Sequence, residues 1–267
     1  MSARSPVTLA VDVGATAIKL MLLDPRGRPI SERMRVGTPT PATPTAMLRS
    51  IARALPQLPP FDRVSLGFPG VIVDGVVRTA ANLSPAWIGV DVARQIRRIT
   101  GKPTRAANDA DVQGLGVIEG RGVELVLTLG TGVGSALFLD GGLVPNLELG
   151  HHPFERGRTY EERLGDRALK RIGTGAWNRR LRGAVETLER AFNCRRLYLG
   201  GGNARLVRSG LPANARVVDN VAGLLGGIRL WGSSGRNSSV RPARVSPAGR
   251  GGRSRRSPAR RSRSKKK

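Results

Sequence analysis

Glycine occupies every second position from Gly130 to Gly134 in the stretch LTLGTGVGSAL, beside an apolar run that predicts a buried strand. Glycine lowers the stability of a strand by roughly 0.5–1 kcal/mol relative to alanine. We therefore expect it here because the chain needs a positive φ angle or a very close approach to its backbone. A hairpin turn meets that need, and so does a turn whose backbone N–H groups bind phosphate. The stretch is a candidate anion-binding turn.

A second candidate is the segment AANDAD, in which a short predicted strand meets a helix. A carboxylate held at such a junction can accept a proton from a hydroxyl group. A general base of this kind contributes typically 10²–10⁴-fold to the rate. Asp109 lies at the junction, and Asp111 is a competing carboxylate on the following helix. The alternative interpretation is that Asn108 or Asp109 caps that helix.

Two strand–turn–strand patterns position these segments. VTLAVDVGATAIKLMLL predicts the first hairpin, and ELVLTLGTGVGSALFLDGG predicts the second. Between them we expect a helix after a Pro-rich loop, a hairpin turning at Asp74 and Gly75, a helix ended by Gly101, a strand over KPTRAAND and a helix over ADVQGLGVIEG. After them we expect helices around TYEERLGDRALKRIG and GAWNRRLRGAVETLERAFN, a strand over RRLYLGGGN and a last helix over NVAGLLGGIRLW. This order predicts two similar halves, an arrangement that can clamp a phosphate chain between them.

The net charge of +26 is divided between two regions of different composition. Residues 232–267 contain ten Arg, three Lys and no acidic residue, and most of the others are Ser, Gly or Pro. Such a segment has almost nothing to bury, so we expect a disordered tail. The rest of the chain carries the other half of the charge, which suits an anionic substrate.

The single cysteine, Cys194, excludes a disulfide framework and a zinc site built from several cysteines. No segment has the pattern of a signal peptide. The longest uncharged run, residues 125–139, is too short and too rich in glycine to cross a bilayer. We therefore expect a cytoplasmic protein.

The segment DVGATAIK resembles the first phosphate loop, Asp-x-Gly-Gly-Thr-x-x-Lys, of the actin-like sugar kinases, and LGTGVGSAL resembles their second. Together with GFPG, AANLSPAW, AANDADVQG, PNLELGHH and LYLGGGN, these segments make residues 7–231 similar to the ROK family of repressors and sugar kinases. The resemblance implies an α/β, actin-like ATPase (ribonuclease H-like) fold with two lobes around a cleft. It places the N-terminal lobe at residues 1–110 and the C-terminal lobe at 111–231, and the tail at 232–267 lies outside the resemblance.

The resemblance also implies roles for individual residues. Asp109 matches the catalytic aspartate of the family, and Asp12 would position Mg²⁺ through water. One departure is Ala15, which replaces the second glycine of the first loop and disfavours a positive φ angle. The implied phosphate- or nucleotide-binding residues are Asp12, Gly14, Thr16, Lys19, Gly130, Thr131, Gly132, Gly134, Gly200, Gly201 and Gly202.

Five further residues match sugar ligands of the family: Asn82, Asn108, Glu148, His151 and Glu161. A sugar ring presents alternating hydrogen-bond donors and acceptors, so it needs such polar partners. Many family members carry a cysteine-rich zinc site near the histidine. This chain has no cysteine between His151 and Glu161, so we expect no structural zinc. His152 is expected to orient the loop, and Trp87 to pack between elements.

Within the family, the chain most resembles glucokinases that use polyphosphate, ATP or both. The implied reaction is phosphoryl transfer to the 6-hydroxyl of glucose with Mg²⁺, and the family habit implies a homodimer. Alternatives are a kinase for another hexose and a sugar-sensing regulator. Only eleven residues precede Asp12, too few for the helix-turn-helix domain of the family's repressors, so we expect a kinase. Nucleic-acid binding by the tail is not favoured, because the tail has no aromatic residue for base stacking.

Overall fold

Apolar residues in the first half of the chain form a five-stranded sheet with helices beside it. The elements in chain order are β1 (Thr8–Val13), β2 (Ala17–Leu23), β3 (Met34–Gly37), α1 (Pro44–Ala54), β4 (Arg63–Phe68), β5 (Ile72–Val73), β6 (Val76–Val77), α2 (Val92–Thr100) and β7 (Thr104–Asn108). Short 3₁₀ helices cover Leu55–Gln57 and Pro85–Trp87. The strand order in the sheet is β3-β2-β1-β4-β7. Strands β1, β4 and β7 are parallel, and β2 is antiparallel to both of its neighbours.

The second half of the chain forms another five-stranded sheet. The elements are α3 (Asp109–Val117), β8 (Val123–Leu129), β9 (Val133–Leu139), β10 (Gly142–Val144), β11 (Pro153–Glu155), β12 (Arg158–Thr159), α4 (Tyr160–Leu164), α5 (Asp166–Phe192), β13 (Arg196–Gly200), β14 (Ala215–Val217) and α6 (Ala222–Leu225). Further 3₁₀ helices cover Leu149–His151, Ala204–Leu206 and Gly226–Trp231. The strand order in this sheet is β10-β9-β8-β13-β14, with the same pattern of strand directions as in the first sheet. The two similar halves are therefore confirmed in their strand order.

This computed structural model describes residues 5–219 and 222–232. By its internal contacts the chain divides into two units, Met1–Arg236 and Asn237–Lys267, and the fold above belongs to the first. The expected disordered tail lies outside the described residues, apart from Gly232. Within the described ranges, no helix is both long enough and apolar enough to cross a membrane.

The predicted turn residues have the required backbone angles. Asp74 (φ 52°) and Gly75 (φ 80°) form the hairpin turn between β5 and β6, where both central residues need positive φ. Gly101 ends α2 in the left-handed region, and its N–H donates to the carbonyl of Arg97. The first of the two helices predicted after the second hairpin is divided at Gly165 into α4 and the start of α5. The second predicted helix is the rest of α5, which is kinked at Gly173 (φ 72°, ψ 162°).

Helices cover both sheets and leave α3 between them. Helices α1 and α2 pack on one face of the first sheet, and α5 packs on one face of the second. Helix α3 buries Val112 and Leu115 against Val126 and Phe138 on the other face of the second sheet. Each large apolar side chain buried in this way contributes roughly 1.5–3 kcal/mol. Trp87 is buried edge-on against Phe68, which is the packing role expected of it.

The C-terminal segment differs from its prediction. Helix α6 ends at Leu225, and a 3₁₀ helix continues from Gly226 instead of the single helix expected over NVAGLLGGIRLW. The reason is close packing, because a Cβ atom on Gly226 would overlap the carbonyl oxygen of Val112 on α3. The segment also reaches the first sheet, where the Ser65 hydroxyl donates to the carbonyl of Gly227 at 2.6 Å.

Trp231 anchors the end of this segment to the same sheet. Its Nε1 donates to Ser65 Oγ at 2.9 Å. The guanidinium carbons of Arg63 and Arg105 lie 4.8 and 4.7 Å from its ring centroid, within the range of cation–π attraction. The C-terminal segment therefore joins α3 to the first sheet.

Candidate active site

A cavity of about 470 Å³ lies where the two glycine turns and the β7–α3 junction meet. All but one of the predicted site residues line it: Asp12, Gly14, Thr16, Lys19, Asn82, Asn108, Asp109, Gly130, Thr131, Gly132, Gly134, Glu148, His151, Glu161, Gly201 and Gly202. The exception is Gly200, which is buried in β13. A Cβ atom there would face Val218 at 3.4 Å rather than the cavity.

A row of charged residues crosses the first sheet toward this cavity. Asp12 on β1 lies opposite Lys19 on β2, and Lys19 Nζ is 2.7 Å from Asp12 Oδ2. Lys19 in turn lies opposite Arg35 on the edge strand β3. Directly opposed residues in antiparallel strands project from the same face, so the three side chains share one face of the sheet. Arg35 also lines the cavity, and the sequence did not point to it.

Asp109 is the first residue of α3 and faces the cavity floor. The close approach of Gly67 on β4 sets its position, since a Cβ atom on that glycine would be 3.4 Å from the Asp109 Cα. Burial, together with the negative charges of Asp12 and Glu148, raises the pKa of Asp109 to about 7, while a hydrogen bond from the Ala110 N–H and the charge of Lys19 act in the opposite direction. A carboxyl group with this pKa can exchange a proton near neutral pH.

Asn108 caps α3 and also faces the cavity. Its Oδ1 accepts from the backbone N–H groups of Ala110 and Asp111 at 2.8 and 3.3 Å. Its Nδ2 donates to the carbonyl of Gly70 and to Glu148 Oε1, both at 3.2 Å. Asn108 therefore has the position that both of its predicted roles require, since it caps α3 and also faces the cavity in which a sugar would bind. Because an amide offers two donors and about two acceptor sites, Asn108 could bind a ligand only by releasing one of these partners.

Three of the five sugar-ligand candidates, Glu148, His151 and Glu161, come from the half of the chain that forms the second sheet. Glu148 Oε2 lies 3.5 Å from His151 Nε2. Burial raises the pKa of Glu148, the His151 charge lowers it and the Glu161 charge raises it. Glu161 Oε2 accepts from the Val133 N–H at 3.2 Å. With Asn82 exposed beside them, these groups offer the donors and acceptors that a polyhydroxylated ligand requires.

In the second turn, Gly132 and Gly134 are needed for packing within the chain, a role that the sequence did not indicate. A Cβ atom on Gly132 would overlap the Glu161 carboxylate, and one on Gly134 would meet Thr128 Oγ1 at 2.5 Å. A Cβ atom on Gly130, by contrast, would meet nothing within 4 Å, so this position is open. Ala15 is not among the residues with positive φ, so its replacement of glycine causes no backbone strain.

Asp111 is fully buried on α3 and does not line the cavity. Its Oδ2 accepts from the Asn146 N–H at 3.3 Å, and its Oδ1 has no hydrogen-bond partner among the residues that the structure describes. Burial and the Asp109 charge raise the pKa of Asp111 to about 7. The geometry thus separates the two carboxylates that the sequence left in competition, since only Asp109 faces the cavity.

The donor set of the cavity is compatible with Mg²⁺ bound together with phosphates. Mg²⁺ keeps several waters and is usually held by one or two carboxylates plus substrate phosphates. Asp12 faces the cavity with 15% of its side chain exposed, which suits this kind of contact. Among residues 5–219 and 222–232, no group of three or more His, Cys, Asp or Glu could hold a metal by itself.

Sequence reasoning missed several residues that line the cavity besides Arg35, among them Gln113, Thr128, Asp166 and Asn203. Asn203 ends the segment LYLGGGN, and its Nδ2 donates to the carbonyl of Gly130 at 3.3 Å. Asp166 begins α5, where its N–H donates to the same carbonyl at 2.9 Å. The position of Asn203 just after the glycines was the one available signal.

The ROK family model matches residues 8–162. The polyphosphate glucokinase of Mycobacterium leprae (strain TN) is 33% identical over 237 residues, which cover 81% of this chain and 72% of that protein. The polyphosphate glucokinase of Mycobacterium tuberculosis (strain CDC 1551 / Oshkosh) is 31% identical over 233 residues, covering 81% and 88%.

Solved structures of sugar kinases are also similar to this chain. The inorganic polyphosphate/ATP-glucomannokinase of Arthrobacter sp. strain KM superposes with a TM-score of 0.78 at 32% identity, covering 84% of this chain and 98% of that one. A ROK family glucokinase from Streptomyces griseus, solved with glucose and AMPPNP, gives a TM-score of 0.69 at 20% identity, covering 84% and 98%, and bears on the fold alone. The predicted actin-like ATPase fold is confirmed.

Proposed function

This chain belongs to the ROK family, and we propose on that premise that it is a glucokinase, a phosphotransferase that acts on a sugar hydroxyl. It transfers a phosphoryl group from inorganic polyphosphate or ATP to the 6-hydroxyl of glucose. The names of its relatives support both the reaction and the choice of donors. The relative from Arthrobacter is named for a second hexose as well, so mannose is the first alternative acceptor to test.

One observation carries the proposal. Asp109, with its pKa raised to about 7, lines a single cavity together with both glycine turns and with Glu148, His151 and Glu161. A kinase needs this arrangement because the base must contact the attacking hydroxyl while the donor phosphate lies in line with it. Neither a cap on α3 nor a core carboxylate would require Asp109 to face an open cavity.

The proposed chemistry follows from the position of Asp109. The oxygen of the glucose 6-hydroxyl attacks the terminal phosphorus of the donor, and the bond from that phosphorus to the bridging oxygen breaks. The hydroxyl proton passes to the Asp109 carboxylate. The products are glucose 6-phosphate and either ADP or a polyphosphate chain shorter by one phosphate.

The sugar is held by the cluster of Glu148, His151 and Glu161. Their carboxylates accept hydrogen bonds from ring hydroxyls, and the imidazole and Asn82 complete the set. The loss of one partner in such a desolvated network typically costs about 1–3 kcal/mol. We therefore assign the recognition of the acceptor sugar to this cluster of residues.

The donor is held by the two glycine turns and by Lys19. The Lys19 ammonium, now paired with Asp12, and the backbone N–H groups of the two turns provide positive potential for phosphate oxygens. Mg²⁺, when bound with the donor, neutralises charge that develops on the phosphates. Asp12 is the residue that would hold it, through water.

A coupled assay for glucose 6-phosphate tests the proposal, run in parallel with ATP and with polyphosphate as donor. We expect turnover with at least one of them, saturable in glucose. The matched control is Arg98→Ala, which removes an exposed charge on α2 outside the cavity and should retain the activity. Absence of glucose and mannose phosphorylation with both donors, from a folded protein, would contradict the proposed function.

A further inference from the structure

Arg35 is an unpaired cation at the edge of the cavity. It is exposed on β3, lines the cavity and takes part in no ion pair or side-chain hydrogen bond with the described part of the chain. Lys19, the next cation in the same row, is already engaged by Asp12 at 2.7 Å. A free guanidinium beside a phosphate-binding turn is available for a ligand, and its planar donors suit phosphate oxygens.

The register of the sheet gives the position of Arg35 relative to the reacting groups. Arg35, Lys19 and Asp12 lie opposite one another on β3, β2 and β1, and Asp12 lies beside Gly67, which contacts Asp109. Since neighbouring strands are about 4.8 Å apart, Arg35 lies about 10 Å from Asp12 at the level of the backbone. A phosphate chain that begins at Asp109 and follows this row outward would reach Arg35 after it has passed Lys19.

We propose that Arg35 binds the phosphates of an inorganic polyphosphate chain that extend beyond those held at the two glycine turns. This inference rests on the proposed function and adds a residue that sets donor preference. A nucleotide donor places an uncharged nucleoside where polyphosphate continues with further charges. A cation remote from the reacting phosphorus therefore strengthens polyphosphate binding more than ATP binding.

The composition of the cavity wall supports a polyanionic donor. Within the described part of the chain, no Phe, Tyr or Trp side chain lines the cavity. Ligand sites for flat apolar rings are lined mainly by apolar and aromatic side chains, whereas this wall is formed largely of glycine, polar and charged residues. An alternative role for Arg35 is protection of an exposed sheet edge against pairing with another chain, which charged edge residues commonly provide. That role predicts no effect on donor use.

The test compares wild type, Arg35→Ala, Arg35→Lys and the exposed control Arg98→Ala with three donors: ATP, tripolyphosphate and long-chain polyphosphate. For Arg35→Ala we expect the KM for long-chain polyphosphate to rise about tenfold, as is typical when a charge-assisted contact is lost. The KM values for ATP and tripolyphosphate, which have three phosphates each, should change less than about twofold. Arg35→Lys should recover part of the loss, and Arg98→Ala should match wild type.

A calorimetric titration with long-chain polyphosphate alone gives a readout independent of turnover. We expect weaker binding by Arg35→Ala and a shallower salt dependence, because one phosphate contact is missing. Equal KM increases for all three donors would overturn the inference and place Arg35 in the common phosphate site. If Arg35→Ala changes neither the KM for long-chain polyphosphate nor its binding, the inference is also overturned, and Arg35 only protects the sheet edge. If wild type binds polyphosphate but phosphorylates no sugar, the proposed function fails while the titration still tests Arg35.

Discussion

The substitution Asp109→Asn separates a catalytic role of this carboxyl group from a structural one. Asparagine keeps the size of the side chain and retains an oxygen that can accept from the Ala110 N–H, now at 2.9 Å. It cannot take up a proton from the glucose hydroxyl. We therefore expect turnover to fall by at least about a hundredfold, with glucose binding largely retained.

The same substitution should make the protein more stable. The pKa of Asp109 rises from 3.8 to about 7 on folding, so the folded state holds the proton more tightly than the unfolded state does. The associated stability is present below pH 3.8 and is lost as the pH rises through about 7. The full shift would correspond to about 4 kcal/mol at 1.36 kcal/mol per unit. Water in the cavity screens the carboxylate, so we expect on the order of 1–2 kcal/mol.

Both effects are measurable on one preparation. Steady-state kinetics between pH 5.5 and 9 should show that wild-type kcat/KM falls as the pH drops below about 7, because the base must be ionised. Thermal unfolding should show a higher Tm for Asp109→Asn than for wild type, by several degrees at pH 8. The difference should shrink toward pH 4, where both side chains are uncharged.

Asp111→Asn is the matched control, since Asp111 is a buried carboxyl on the same helix with its pKa also raised to about 7. It should gain stability in a similar way but keep turnover within about twofold, because its side chain does not face the cavity. A variant Asp109→Asn with near-normal turnover would refute the assignment of the base. Loss of turnover in Asp111→Asn alone would transfer the role to that residue.

Three other predictions test the sugar site, the donor site and the C-terminal packing. Glu148→Gln and His151→Ala should each raise the glucose KM by roughly 5- to 140-fold, the equivalent of about 1–3 kcal/mol, and unchanged affinity in both would mean that the sugar binds elsewhere. Activity with polyphosphate should fall steeply as salt is raised, and activity with ATP much less, in assays at matched ionic strength; parallel curves would argue against a distributed phosphate site. Gly226→Ala should lower the free energy of unfolding by at least about 2 kcal/mol because its Cβ would overlap the carbonyl of Val112, whereas Gly183→Ala, in open space on α5, should raise it by about 0.5–1 kcal/mol in the same denaturation experiment.

Local chemistry made much of this structure predictable. The hairpin at Asp74 and Gly75 and the helix end at Gly101 depend on backbone angles that few residues adopt, so the sequence reveals them directly. The convergence of distant segments on one cavity followed from the family resemblance, which depends on motifs in a fixed order. The periodicity of apolar residues alone would not have predicted that Asp12 lies near Asp109.

The remaining features depend on contacts between elements far apart in sequence. Arg35 faces the cavity because β3 pairs with β2 in one particular register, which a four-residue strand does not reveal by its pattern. The last helix is interrupted because Gly226 lies against α3, a neighbour that no local signal identifies. Position 132 is glycine for a packing reason as well, because the Glu161 carboxylate occupies the space that a side chain there would need.

The attachment of the C-terminal segment to the first sheet bears on the order of folding during synthesis. Trp231 and Ser65 are 166 positions apart, yet their side chains are hydrogen-bonded, and Leu224 belongs to the same apolar cluster as Ala10 and Met21. The strands that carry Ala10 and Met21 leave the ribosome early, while Leu224 leaves it after nearly all of the described chain. Until then the part of the first sheet around Ala10 and Met21 lacks this apolar cover, and exposed apolar surface of this kind is what chaperones bind and what aggregates. The final turns of the described chain therefore decide when the nascent first sheet becomes protected.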